Sequence, residues 1–121
     1  MSNASNFHLP VPRLPADIYS HIHDTARRFA SDRVRPRAAE LDETEAFPAE
    51  LYEEMAQLGL FGITVPEDFG GMGMDDYRFR AVVSEETIRA GLGSLAGALG
   101  IQDELAIPDI VHMGTQAQKE K

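Results

Sequence analysis

A chain of 121 residues with 20 acidic and 11 basic side chains, a net charge of −9 and 43% hydrophobic residues has the size and composition of one globular domain. The acid excess repels a phosphate backbone, and no apolar run approaches the ~20 residues of a membrane span, so neither nucleic acid nor a membrane span is expected. With no cysteine, disulfides, thiolate catalysis and cysteine metal sites are excluded, and a reducing cytoplasm is the expected location.

Residues 1–15 hold Pro10, Pro12 and Pro15 among scattered polar residues without a period, which predicts an extended or disordered leader, or a tag. A first helix is expected from Asp17, whose carboxylate is placed to cap free N–H groups. Ile18, Ile22, Ala26, Phe29, Ala30, Val34, Ala38 and Leu41 recur at spacings of three and four, laying one apolar stripe along it. Pro36 interrupts the bonding within this stripe, which predicts a kink. The arginines at 27, 28, 33, 35 and 37 are interleaved with Asp24, Asp32 and Glu40, as on a solvated or partner-facing helix side.

A second helix should open at Pro48, with Leu51, Met55 and Leu58 inward and Gly59 as its left-handed stop. Leu60 to Val65 is too short for a helix and predicts a buried extended segment ended by Pro66. Gly70-Gly71-Met72-Gly73 lacks the spacing of a dinucleotide fingerprint and the Lys-Ser/Thr of a phosphate loop. It reads as a turn through positive φ that packs closely on its neighbours.

Asp75 or Asp76 should cap a third helix with Tyr77, Ala81, Ser84 and Ile88 on one stripe and Val82 beside it, ended by Gly91 or Gly93. Ser94 can cap a fourth, rich in small residues (Ala96, Gly97, Ala98, Gly100) that let backbones or a ligand approach. A short fifth is expected to open around Pro108 and stop at Gly114. Thr115 to Gln118 has capping-box spacing, yet only three residues follow, so the natural chain is expected to continue past Lys121. With no repeat and no strand pair, the predicted fold is all-α, a bundle of four or five helices.

Few residues suggest chemistry. His21 and His23, two apart on a helix, diverge and cannot share a metal, and His112 has neither a nearby nucleophile nor a cysteine partner, so no metal site is expected. Glu85 and Glu86 diverge by about 100° on a helix; Glu86 shares a face with Val82 and Val83 and should be partly buried against an arginine of another helix. No histidine lies at useful spacing from Ser84 or Ser94. The remaining candidate is the helix Ser94 to Leu105, which could present Leu95, Ala96 and Leu99 to an apolar ligand or simply pack against another helix.

Six short segments then fall in a particular order: Val34-Arg35-Pro36-Arg37-Ala38-Ala39-Glu40-Leu41-Asp42, Phe47-Pro48, Leu58-Gly59-Leu60, Val65-Pro66-Glu67-Asp68-Phe69-Gly70-Gly71-Met72-Gly73, Ser84-Glu85-Glu86 and Gly114-Thr115-Gln116-Ala117-Gln118-Lys119. Together they make residues 16–121 resemble the N-terminal helical domain of the acyl-CoA dehydrogenases. The resemblance implies a parent flavoprotein that binds FAD, desaturates an acyl-CoA thioester and passes electrons to an acceptor. In that family the catalytic carboxylate and most flavin contacts lie in later domains, so no catalytic residue is assigned here and no cofactor is expected on these residues alone. The share implied for this domain is one wall of the acyl pocket, falling on Leu95, Ala96, Leu99 and Gln102, with Asp103 beside Gln102 in the turn that follows and Gly91 to Leu95 near the flavin.

Ile101-Gln102-Asp103 stands where many members carry a sequence like Val-His-Asn, a departure that leaves the acyl group open. Acyl-CoA oxidases and flavin-dependent monooxygenases share the same helical domain. A different class of reading is a free-standing helical module that binds another protein. Either way an uncovered apolar face should drive homo-oligomer formation.

Overall fold

The computed structural model describes residues 12–121, so the expected leader falls largely outside it; residues 12–15 carry no regular structure. Five helical runs make up an all-α bundle, with no strand among the described residues. No helix among them is long and apolar enough to cross a membrane.

The first run joins α1 (Ala16–Phe29), a π turn (Ala30–Val34), a 3-10 turn (Arg35–Arg37) and α2 (Ala38–Thr44). Pro36 has no N–H to give to the Asp32 carbonyl, and the run widens before the proline and tightens at it without breaking. The predicted stripe is inward throughout: Ile22, Ala26, Phe29, Ala30, Val34, Ala38 and Leu41 are buried and Ile18 is half-buried. The start differs from expectation. Pro15 occupies the cap position, and its carbonyl accepts the Tyr19 N–H at 3.0 Å. Asp17 therefore sits inside the first turn, where its charge favours the positive helix end without capping it.

In α3 (Ala49–Gln57), Leu51 and Met55 are fully buried. Leu58 turns out to be exposed, because the chain leaves helical geometry there to enter the stop. Gly59 at φ 70° lets the Leu60 N–H reach the Met55 carbonyl and its own N–H reach Ala56, each at 3.0 Å.

Leu60 to Val65 is not extended. Gly62 at φ 66° folds it into a turn closed by the Val65 N–H on the Gly62 carbonyl, and Leu60 and Ile63 plug into the core. A 3-10 turn (Glu67–Phe69) and Gly70 at φ 85° then reverse the chain. On the return limb the Gly73 N–H reaches the Val65 carbonyl at 2.8 Å and the Met74 N–H reaches Ile63 at 3.0 Å. The two limbs satisfy each other's backbone groups, as an irregular segment against a core must. Gly71 lies where any Cβ would run into the Val65 carbonyl and side chain, the close packing expected of this loop.

The Asp76 carboxylate receives the Arg78 N–H at 3.0 Å as α4 (Arg78–Arg89) begins. The predicted face of α4 is corrected. Phe79, Val82, Val83, Glu86, Thr87 and Ala90 are buried, whereas Tyr77 and Ile88 are exposed. The predicted stripe and the buried one lie on nearly opposite sides of this helix, and burial of Phe79, its largest apolar residue, against α1 settles the rotation. Thr87 tolerates the core because its hydroxyl donates to the Val83 carbonyl at 2.8 Å.

The expected fourth and fifth helices are one run: α5 (Gly93–Leu99), a π turn (Gly100–Ala106) and α6 (Ile107–Met113). Pro108 does not open a new helix; the π turn before it absorbs its missing N–H. Leu92, not Ser94, holds the cap position of α5. A four-residue α7 (Gln116–Lys119) follows, with the Gln118 Oε1 accepting the Thr115 N–H at 2.8 Å in the predicted capping box.

The loop makes Gly71 and Gly70 distinguishable by urea denaturation. Gly71→Ala meets backbone and should cost at least about 2 kcal/mol, with distorted neighbours. Gly70→Ala has open space and bears only the left-handed penalty of about 1 kcal/mol. Equal losses would show that the loop does not depend on close approach at Gly71.

Candidate functional site

Leu95, Leu99 and Asp103 lie four residues apart along the α5–α6 run, on its inward stripe. The first two are apolar and close onto the core. Asp103 is as deeply buried and needs partners to be there. Its Oδ1 accepts the Gly62 N–H at 2.7 Å, and its main-chain carbonyl accepts Nη1 of Arg80 from α4. From α3, the Tyr52 hydroxyl donates to the Ala98 carbonyl at 3.4 Å, one turn before. The loop, α3 and α4 are thus all tied to one stretch of the last long run, and the π turn sits at the tie.

The electrostatics follow from that burial. Desolvation pushes the Asp103 carboxyl above its ordinary range, against the lowering effects of the Gly62 hydrogen bond and the Arg80 charge, with nearby Glu104 adding to the rise. Burial, and then the neighbouring Asp103, push the Tyr52 phenol up. The Arg80 guanidinium lies 5.3 Å from the Tyr77 ring centre, and its Nε is buried without a partner among the described residues. By contrast, Asp76 is held down to about 2, chiefly by the hydrogen bonds from the Arg78 side chain.

Of the four residues expected to line a ligand wall, Leu95 and Leu99 sit together in the core, Ala96 is half-buried and Gln102 is exposed. They do not share one open surface in this domain. The opposite side of the same helix is more open: a Cβ placed on Gly93, Gly97 or Gly100 would meet nothing within 4 Å. No other helix of the described residues has closed onto those glycines.

The remaining candidates separate. Glu86 is buried, as expected, but its partner from another helix is His23 at 3.4 Å, and its arginine is Arg89 on its own helix at 3.7 Å. α1 offers an imidazole at that level where a longer arginine was anticipated. His21 and His112 are exposed, and no group of three His, Asp or Glu side chains suited to a metal comes together among the described residues.

Asp103, Tyr52 and Arg80 were not predicted as anchors. A signal existed for Asp103, an acid four residues beyond Leu99 on a stripe whose other members are apolar. For Arg80 no local pattern points to the partner, because the contact is made across 23 residues of sequence.

The model of the acyl-CoA dehydrogenase N-terminal domain matches residues 18–121, nearly the whole helical bundle. The chain belongs to that family. It is 37% identical over 107 residues to the mitochondrial isovaleryl-CoA dehydrogenase of Arabidopsis thaliana, covering 87% of this chain and 26% of the relative. It is 43% identical over 99 residues to the (2S)-methylsuccinyl-CoA dehydrogenase of Cereibacter sphaeroides, covering 81% of this chain and 18% of the relative. Over 81 residues it is 46% identical to the benzylmalonyl-CoA dehydrogenase of Aromatoleum aromaticum, covering 67% of this chain and 21% of the relative. The chain thus spans about a quarter or less of these relatives' length.

Two Asp103 variants separate the hydrogen bond from the charge. Asp103→Leu orphans the Gly62 N–H and should cost roughly 1–3 kcal/mol in chemical denaturation. Asp103→Asn keeps an acceptor and removes a desolvated charge, so at neutral pH it should match or exceed the parent domain. Because the folded carboxyl titrates above its ordinary range, the parent domain recovers stability relative to the Asn variant as pH falls through that raised value toward 3.8. A gap between the two that is flat with pH would mean that Asp103 is not desolvated.

Proposed function

We propose that this domain supplies one wall of the acyl pocket in an FAD-dependent acyl-CoA dehydrogenase. The observation that carries the reading is the open small-residue side of α5 in a chain belonging to this family. Gly93, Gly97 and Gly100 leave room for a ligand or cofactor beside the helix, while Leu95 and Leu99 hold the helix to the core behind them. Ala96 and Gln102 are then the members of the predicted wall with surface to offer, and Leu95 and Leu99 shape it from beneath.

In the parent reaction an α-proton leaves the acyl thioester as a proton and the β-hydrogen leaves as hydride, giving a trans double bond. The flavin's contribution is to accept that hydride, and electrons then pass to a separate acceptor. No residue of this chain is assigned as base or flavin ligand, because the family resemblance puts the catalytic carboxylate and most flavin contacts in later domains. This domain's part is to orient the acyl group and exclude water. The relatives' names carry three different acyl groups, isovaleryl, methylsuccinyl and benzylmalonyl, which supports the acyl-CoA class without selecting one member.

A chimera tests this. Residues 18–121 replace the corresponding stretch of the Arabidopsis isovaleryl-CoA dehydrogenase. The expected product is a yellow protein whose flavin bands bleach on adding an acyl-CoA, while the 121-residue chain alone shows neither colour nor turnover. A folded but colourless chimera that ignores added FAD would withdraw the enzyme reading and leave a helical fold used for binding.

The uncovered surface has its own consequence. Ile101, Leu105, Ile110 and Met113 are all exposed along the last long run. By itself the chain should form a dimer or larger homo-oligomer. Size-exclusion chromatography with light scattering checks this, and a clean monomer at high concentration would contradict it.

A further inference from the structure

His23, Arg27, Ser31 and Arg35 are spaced by four along the first helical run and so share one side of it. Across from them on α4 stand Glu86 and Arg89, and the six residues line a groove of about 590 Å³. The arginines of this run divide by side. Arg33 reaches Glu54 at 3.0 Å and Arg37 pairs with Glu50, both on the face toward α3. On the groove side neither Arg27 nor Arg35 forms an ion pair among the described residues, in a chain with nearly twice as many acids as bases.

The groove is rich in donors and poor in acceptors. Arg35 spends one Nη2 contact on the Arg89 carbonyl at 3.3 Å, which ties α4 to the first run and leaves its other N–H groups free to turn toward the groove. Ser31 is small and lets the two guanidinium groups flank one space. The carboxylate within the groove, Glu86, has a side chain only 9% exposed and lies 3.4 Å from His23 and 3.7 Å from Arg89. At the rim, Asp24 lies 3.5 Å from His23, and Glu85 lies 3.9 Å from Arg89. Those acids engage His23 and Arg89, which leaves Arg27 and Arg35 as the groove cations without an ion pair among the described residues.

We propose that this groove binds a phosphate-bearing ligand, held by the guanidinium groups of Arg27 and Arg35 with the Ser31 hydroxyl between them. Guanidinium groups match phosphate oxygens in geometry and charge and form the stronger class of hydrogen bond. The groove lies between α1 and α4, away from the open side of α5, so the assignment does not depend on the acyl-wall reading.

Isothermal titration of the 121-residue chain with inorganic pyrophosphate, inorganic phosphate and ADP tests it, with an oligoglutamate peptide as a competing class. Saturable one-to-one binding is expected. It should weaken about tenfold in Arg27→Gln and again in Arg35→Gln, and should persist in Arg28→Gln, which lies outside the groove. Pyrophosphate bound more tightly than ADP assigns a free phosphate, and ADP bound as tightly or more tightly assigns a nucleotide. Arg27 makes no side-chain bond among the described residues, so its variant should keep the parent helical spectrum and melting profile even if Arg35→Gln loosens α4. No saturable binding, an equal loss in Arg28→Gln, or tighter binding of the oligoglutamate would each overturn the proposal.

Discussion

A buried carboxylate on a loop amide fixes how the last long run sits on this domain. The segment from Leu60 to Tyr77 forms no regular ladder with any helix, yet Leu60 and Ile63 must stay in the core. Its own limbs satisfy much of its backbone, but the Gly62 N–H points at the last long run and is met there by Asp103. Removing Asp103 from water is unfavourable and pushes its carboxyl above the ordinary range, and the charge-assisted bond to Gly62 with the nearby Arg80 offsets part of that cost. The net gain is small. What the arrangement supplies is register, because only one rotation of the α5–α6 run brings Asp103 to Gly62 while Leu95 and Leu99 face the core.

Both long runs obtain that register by departing from α-helical geometry. A strict α-helix advances 100° per residue, so a long stripe drifts unless something resets it. A π turn inserts the correction, and each run places one just ahead of a proline, at Pro36 and at Pro108. The missing N–H thus coincides with a place where the ladder is already rearranged. In the first run the correction keeps Val34, Ala38 and Leu41 on the side of Ile22 and Phe29. In the second it lets Asp103 stay inward while Ile101 and Leu105 remain outward.

Much of this was legible in the residues themselves. The first stripe, the Gly59 stop, the closely packed glycine loop and the terminal capping box all follow from local chemistry: periodicity, a positive φ, a reciprocal pair of hydrogen bonds. The misread features share a cause. The face of α4 was ambiguous because Tyr77 and Ile88 on one side compete with Phe79 and Val83 on the opposite side, and only contact with α1 chooses between them. Pro108 looked like a helix start because proline favours that position, and nothing local announces a π turn ready to absorb it. The Asp103 anchor was half visible, as an acid on an apolar stripe, but its partners lie 41 and 23 residues away. Family resemblance reached Leu95 and Leu99 by position, whereas their burial beneath the surface is a property of packing alone.

Three sides of the bundle differ in a way that composition does not show. The α5 side is smooth, glycine-rich and unpacked, suited to a neighbour that comes close to backbone. The α6 side is apolar and exposed, the character of a surface meant to be covered. The side between α1 and α4 is polar and cationic despite the net charge of −9. Open glycine in a helix lowers its stability, whereas an exposed arginine without an ion pair costs little, so only the first of these features is one that stability alone would remove. These features sit on separate faces of one bundle, and the Asp103–Gly62 and Glu86–His23 contacts inside hold the last long run and α4 in the rotations that keep those faces apart.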